Sequence, residues 1–202
     1  MSCVDGSEIL LRPEPGLSEN RRDRRAELVD AALDVWAEGG YHNLSVRNVA
    51  RRTPYSHGVV HYYFAGRPEL VRECVARLLR ESVLDASPID AAKTVAAVSN
   101  ALASVIANDF VAHRSAYVIR HDLRSRTLFD ADLAPYVTAL EGPLHDFADR
   151  AAGRYAELGT PMTGARVFAQ LDYLIQRASL AVAYPVQETA DRLRVELLDA
   201  LP

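Results

Sequence analysis

Apolar residues recur every three or four positions through most of the chain, the spacing that puts them on one face of an α-helix. In residues 24–38, Leu28, Ala31, Ala32, Val35 and Trp36 form such a stripe, and Asp23, Glu27, Asp30 and Asp34 lie opposite. Gly39 and Gly40 follow, supplying the left-handed conformation that ends a helix. Trp36 is predicted to anchor the core of a small three-helix unit. Residues 45–64 read as two short helices around a tight turn. Ser45 caps the first, whose inner side is Val46, Val49 and Ala50, while Arg47, Arg51 and Arg52 stand off that stripe. Thr53-Pro54 stops it, because proline drives the preceding residue out of the helical region. Ser56 caps the second helix, Val60 and Phe64 face inward, and Ser56, His57, Val59, His61, Tyr62 and Tyr63 remain outward. A short helix that is polar at its start and aromatic at its end, set after a tight turn, is the pattern of a helix-turn-helix reader of DNA.

A helix opened by Pro68 and Glu69 continues to about residue 84. Ser87-Pro88-Ile89-Asp90 resembles a capping box and starts an alanine-rich helix to about residue 110. Another, over about 111–126, places His113, Tyr117, Arg120, His121 and Arg124 close to one face. Asp130 or Asp132 caps a long helix in which Gly142-Pro143 predicts a kink, since Pro143 removes the bond to the Ala139 carbonyl. Residues 163–184 are apolar over too much of their circumference to lie on a monomer's surface. A last helix presents Ala190, Leu193, Leu197, Leu198 and Leu201. Nothing reads as a strand, so the fold class is all-α, with about nine helices.

With 202 residues and 49% hydrophobic content, the chain is long enough for one good core or for a small domain joined to a larger one. No apolar run approaches the roughly 20 residues of a membrane span, and Ile9, Leu10 and Leu11 are too few for a signal segment. An intracellular, cytoplasmic protein is expected. Cys3 and Cys74 make neither a disulfide framework nor a metal knuckle. The net charge of -4 argues against nucleic acid until its distribution is read: residues 21–80 hold eleven arginines against seven acids, and the acidic excess lies on either side. Residues 1–20, with Pro13, Pro15 and Gly16, are expected to be a mobile tail. The basic Arg21, Arg22, Arg24 and Arg25 after it read either as an arm toward DNA or as a solvated first turn.

Positions 26–70 resemble the N-terminal domain of the TetR family of transcriptional regulators, through AALDVWAEGGY, SVRNVARR, SHGVVHYYF and RPEL in that order. The resemblance implies a helix-turn-helix DNA-binding domain at 21–68 and a helical effector-binding and dimerisation domain at 69–202. The partners it implies are double-stranded DNA at a pseudo-palindromic operator, a second copy of the chain in a homodimer, and a small-molecule effector that releases the DNA. Neither a membrane partner nor a cofactor or metal is implied. It assigns Ser45 to a phosphate at the helix cap and Arg47 to a base or phosphate. Ser56, His57 and Val59 take recognition positions, His61 and Tyr63 the end that touches phosphate, and Arg67 the cation at the start of the next helix. Thr53-Pro54-Tyr55 departs from the family's small-Gly-hydrophobic turn. Val59 replaces a common hydroxyl and reads as a contact to a thymine methyl, and His61 replaces a common tyrosine.

The His113 to Arg124 face has two readings. Its groups pair with Asp109, Asp122 or Asp130, or Tyr117, Arg120, His121 and Arg124, with Tyr136 and His145, give polar points in an effector cavity beside Leu140 and Leu144. The cation excess there favours an acidic or hydroxylated, aromatic or lipid-like effector. An enzyme built on the same face lacks a nucleophile elbow, a phosphate loop and a metal-ligand spacing. A helical interaction module that does not bind DNA is the further alternative. The dimer interface is expected on the last two helices, at Phe168, Leu171, Ile175 and Leu193.

Overall fold

The computed structural model describes residues 19–202, all of whose regular elements are helical. They are α1 (Glu19–Gly39), α2 (Val46–Arg52), α3 (His57–Tyr63), α4 (Arg67–Glu81), α5 (Ser87–Ala91), α6 (Val95–Arg126), α7 (Ala134–Glu157), α8 (Gly164–Leu180) and α9 (Val186–Ala200), with single 3-10 turns at Tyr41–Asn43 and Ala131–Leu133. The tail expected at 1–20 lies outside the described residues except for Glu19 and Asn20, which already belong to α1. Arg21, Arg22, Arg24 and Arg25 are therefore helical.

The chain divides into two compact units. The first unit takes residues up to 81 together with 118–140, and the second takes 82–117 and 141–202. In the first, α1 packs against α2 and α4, and α2 against α3. Its core is Leu28, Ala32, Trp36, Leu44, Val49, Val60, Phe64, Leu70 and Val75, all between fully buried and 1% exposed, joined by Ile119 and Leu123 from the inserted stretch. The expected stops are observed. Gly40 has φ 74°, and Gly39 is needed because a Cβ there would stand 2.2 Å from the Asn43 amide nitrogen.

In the second unit, Val98, Leu102, Ile106 and Phe110 of α6 pack with Phe147, Ala151 and Tyr155 of α7, Leu171 and Ile175 of α8, and Leu193 and Leu197 of α9. The alanine-rich helix expected from Ser87 is instead one turn, α5, whose Ser87 N–H is taken by Asp85 at 2.9 Å, and Thr94 accepts the Ala97 N–H to start α6. The two helices predicted to meet at 110 and 111 are joined across a kink about two residues further on, and α6 denotes both. The break survives as non-helical backbone at His113, with φ -126° and ψ 31°. Helix α7 by contrast runs through Pro143 without losing its helical assignment. By length and composition α6 is able to cross a bilayer, contrary to expectation. Its apolar side chains from Val98 to Phe110 are core residues of this unit, which accounts for that composition.

Candidate nucleic-acid interface

Helices α2 and α3 have seven residues each, too few to be stable alone, so packing and caps hold them. Both expected caps form: Ser45 Oγ accepts from Asn48 N at 3.2 Å and Ser56 Oγ from Val59 N at 3.4 Å. The unusual turn between them is docked on α1 by Tyr55, whose hydroxyl donates to Glu27 Oε2 at 2.5 Å. That bond also raises the phenol above its ordinary value. Val49 and Val60 close the two helices onto each other, both fully buried.

This packing leaves Arg47, Ser56, His57, His61 and Tyr62 exposed, with Ser45, Val59 and Tyr63 half-buried at the rim. Arg47 has no hydrogen-bond or ion-pair partner among the described residues, whereas Arg52 is bound by both oxygens of Glu38 at 2.5 and 2.6 Å. A long cation with no internal partner on an outward helix face is available to a phosphate or a guanine edge. Tyr62 is 65% exposed and carries the Arg21 guanidinium 4.8 Å above its ring. Arg25 is a brace: it donates to the Tyr63 carbonyl at 2.9 Å and to Glu69 at 3.1 Å.

Arg67, expected as the cation at the start of the next helix, also has partners within the chain. Its Nε donates to the Leu44 carbonyl at 2.7 Å and its Nη2 to the His42 carbonyl at 3.1 Å, with the guanidinium 5.2 Å from the Tyr41 ring. These two bonds brace the segment that enters α2 and use two of the five N–H groups of the guanidinium, leaving the others able to meet a phosphate. The sequence reading missed Asp122 in the same role. Its Oδ2 accepts from Trp36 Nε1 at 3.0 Å and from Tyr41 N at 2.6 Å. Trp36 is 1% exposed, and an indole N–H so buried requires an acceptor. That requirement was legible in the sequence, but the acceptor lies 86 residues further along the chain.

The eight residues suggested for an effector are divided between the units. Arg120, His121, Arg124, Tyr136 and Leu140 fall in the first unit, and Tyr117, Leu144 and His145 in the second. Tyr136 lines an open groove of about 570 Å3 with Gly66, Pro68, Glu69 and Arg72. In the second unit Tyr117 is buried and donates to Asp109, which also meets His113 Nδ1 at 2.8 Å. Leu144 belongs to the core, while His145 is a surface residue stacked on Phe168 at 3.6 Å.

Of the four suggested dimer residues, Phe168 is half-buried against His145 and the other three are corrected. Leu171, Ile175 and Leu193 are at most 1% exposed and have no surface left for a partner. The apolar surface of this region is Tyr173, Leu180, Val182, Tyr184 and Val195, all at least 45% exposed.

Residues 28–74 match the family described as bacterial regulatory proteins, tetR family. The chain is 33% identical over 89 residues to the HTH-type transcriptional regulator BetI of Brucella suis biovar 1, a match that covers 44% of each chain and so less than half of that relative. It shares its fold with a TetR transcription regulator from Haloarcula marismortui, at TM-score 0.67, 20% identity and coverage of 89% of this chain and 98% of the other. A second solved structure is the transcriptional regulator FadR from Bacillus subtilis in complex with stearoyl-CoA, at TM-score 0.61, 16% identity and coverage of 88% and 99%.

Proposed function

We propose that the chain, whose residues 28–74 match the tetR family of bacterial regulatory proteins, is a member of that family and a repressor of transcription that binds a pseudo-palindromic operator as a homodimer. The observation that carries this reading is the outward face of α2 and α3, where Arg47, His57, Val59 and His61 stand at the surface while Val49, Val60 and Phe64 fix the helices from behind. Arg47 and His57 read base edges, Val59 meets a thymine methyl, and Ser45, Ser56, His61, Tyr62 and Tyr63 hold the backbone. A reader this short covers only a few base pairs, so specificity requires two of them about 34–36 Å apart, or a multiple of that, on one face of the duplex. The test is selection of duplexes from a random pool by the full chain. A pseudo-palindrome bound by two chains is the expected product, and a single asymmetric site bound by a monomer contradicts the reading.

The second copy docks on the exposed face of α8 and α9, where Leu180 and Val195 are 60% and 56% exposed. Sedimentation of a Leu180→Glu, Val195→Glu variant gives a folded monomer if this is the interface, and an unchanged dimer if it is not. The effector has an acidic or hydroxylated end on an apolar body. Arg120, His121 and Arg124, close together on α6, support that chemistry, and the FadR neighbour's stearoyl-CoA has it. A ligand library screened by thermal shift checks it, because a ligand that binds the native state raises Tm. Acting on DNA places the protein in the cytoplasm.

A further inference from the structure

We infer that His57 and His61 form a chelating pair for a divalent transition-metal ion of the Zn2+, Ni2+ or Cu2+ class on the outward face of α3. Residues four apart stand one above the other on a helix, and these two rings have centroids 4.5 Å apart and planes 75° apart. Both side chains are exposed, and among the described residues neither imidazole has a hydrogen-bond or ion-pair partner, so their ring nitrogens are uncommitted. Imidazole is the ligand these ions favour, and an ion sits about 2.0–2.1 Å from each coordinating nitrogen, within the span of two exposed rings that turn freely. None of the other four histidines, His42, His113, His121 and His145, has a second histidine three or four positions away. No group of three or more candidate ligands occurs among the described residues. The pair therefore supplies two positions and water the rest, which makes it an exchangeable site and not a structural one.

The consequence rests on the proposed DNA reading. An imidazole that holds an ion has lost its lone pair to the metal, and the hydrated ion occupies the surface that enters the groove. Base reading by His57 is blocked, while the sequence-blind attraction to phosphates is untouched or increased. Occupation of the site thus lowers the preference for the operator over random DNA.

The test uses the untagged full chain, stripped of metal and titrated with ZnCl2 and NiCl2 in a calorimeter at neutral pH, beside His57→Gln and His61→Gln. Circular dichroism checks that the variants remain helical. The wild type is expected to take one ion per chain, and each variant none over the same concentration range. Wild-type binding in either variant, or no binding in the wild type, overturns the site. In a second arm, the selected duplex and a random duplex are compared with and without Zn2+. The preference falls with Zn2+ in the wild type, and in His61→Gln, which keeps the base-reading His57 but lacks the second ligand, it is the same with and without Zn2+. A bound ion that leaves the wild-type preference unchanged overturns the competition. A chain that fails to bind the selected duplex even in EDTA removes the DNA reading, and the ion count then decides the site by itself.

Discussion

The two units of this chain are held by different means. The second unit rests on a broad apolar core drawn from α5 to α9, with Ser99 and Tyr155 as its internal hydroxyl pair, 2.8 Å apart. The first unit includes two helices of only seven residues and adds side chains that reach backbone groups: Asp122 to Tyr41 N, Arg67 to the Leu44 and His42 carbonyls, and Arg25 to the Tyr63 carbonyl. Apolar burial is non-directional, and it tolerates small slips between helices. Hydrogen bonds to backbone at the entry of α2 and the exit of α3 fix angle and register, as the proposed reading of DNA requires.

The comparison breaks most visibly in the second unit. Phe110→Ala removes a fully buried ring from its core and is expected to cost about 3–5 kcal/mol in urea unfolding. Outward positions of α3 should be untouched by it, so a parallel loss of helix-turn-helix structure at low denaturant would show that the units are not independent. Asp122→Ala is expected to cost about 1–3 kcal/mol, because it strands the buried Trp36 N–H and the Tyr41 N–H. Asp122→Asn keeps an acceptor and should recover part of this. A fully neutral Asp122→Ala would remove the claim that polar ties hold the first unit.

A smaller effect is expected at Glu69, which accepts from Ala65 N at 2.8 Å and pairs with Arg25 at 3.1 Å. Burial works to raise its carboxyl, but the Ala65 N–H bond and Arg25 together hold it below the ordinary 4.5. A carboxyl lowered in the folded state stabilises it above the unfolded value and loses that contribution as pH falls through the folded one. Glu69→Gln should therefore be less stable than the wild type at neutral pH, by under about 1 kcal/mol at so accessible a site. The gap should close below pH 4.5. A gap that persists in acid assigns the effect to packing.

Much of this was legible in the sequence where the cause is local. Ser45 and Ser56 declare their caps, Gly40 its turn, and Val49, Val60 and Phe64 their burial, because each follows from neighbours within one or two turns. Trp36 declared itself a core residue, but its partner Asp122 comes from a segment that returns after more than eighty residues. Periodicity carries no information on such a meeting. The same limit explains Leu171, Ile175 and Leu193: helical spacing showed that α8 and α9 have an apolar stripe, and only tertiary packing decides which side of it the chain itself covers. Arg67 was placed by family position, and its geometry shows a donor already engaged with backbone.

The smallest effect on stability belongs to the residue on which the functional account depends most. Arg47 is exposed and has no partner among the described residues, so Arg47→Ala should leave Tm within the range of ordinary surface substitutions, about ±0.5 kcal/mol. The decisive measurement is the ratio of its affinities for the selected duplex and for random duplex at fixed salt. The account predicts that this ratio falls by about 1–3 kcal/mol relative to the wild type while Tm stays put. Equal loss on both duplexes, or no loss on either, would contradict the assignment of the outward face of α2 and α3 to sequence reading.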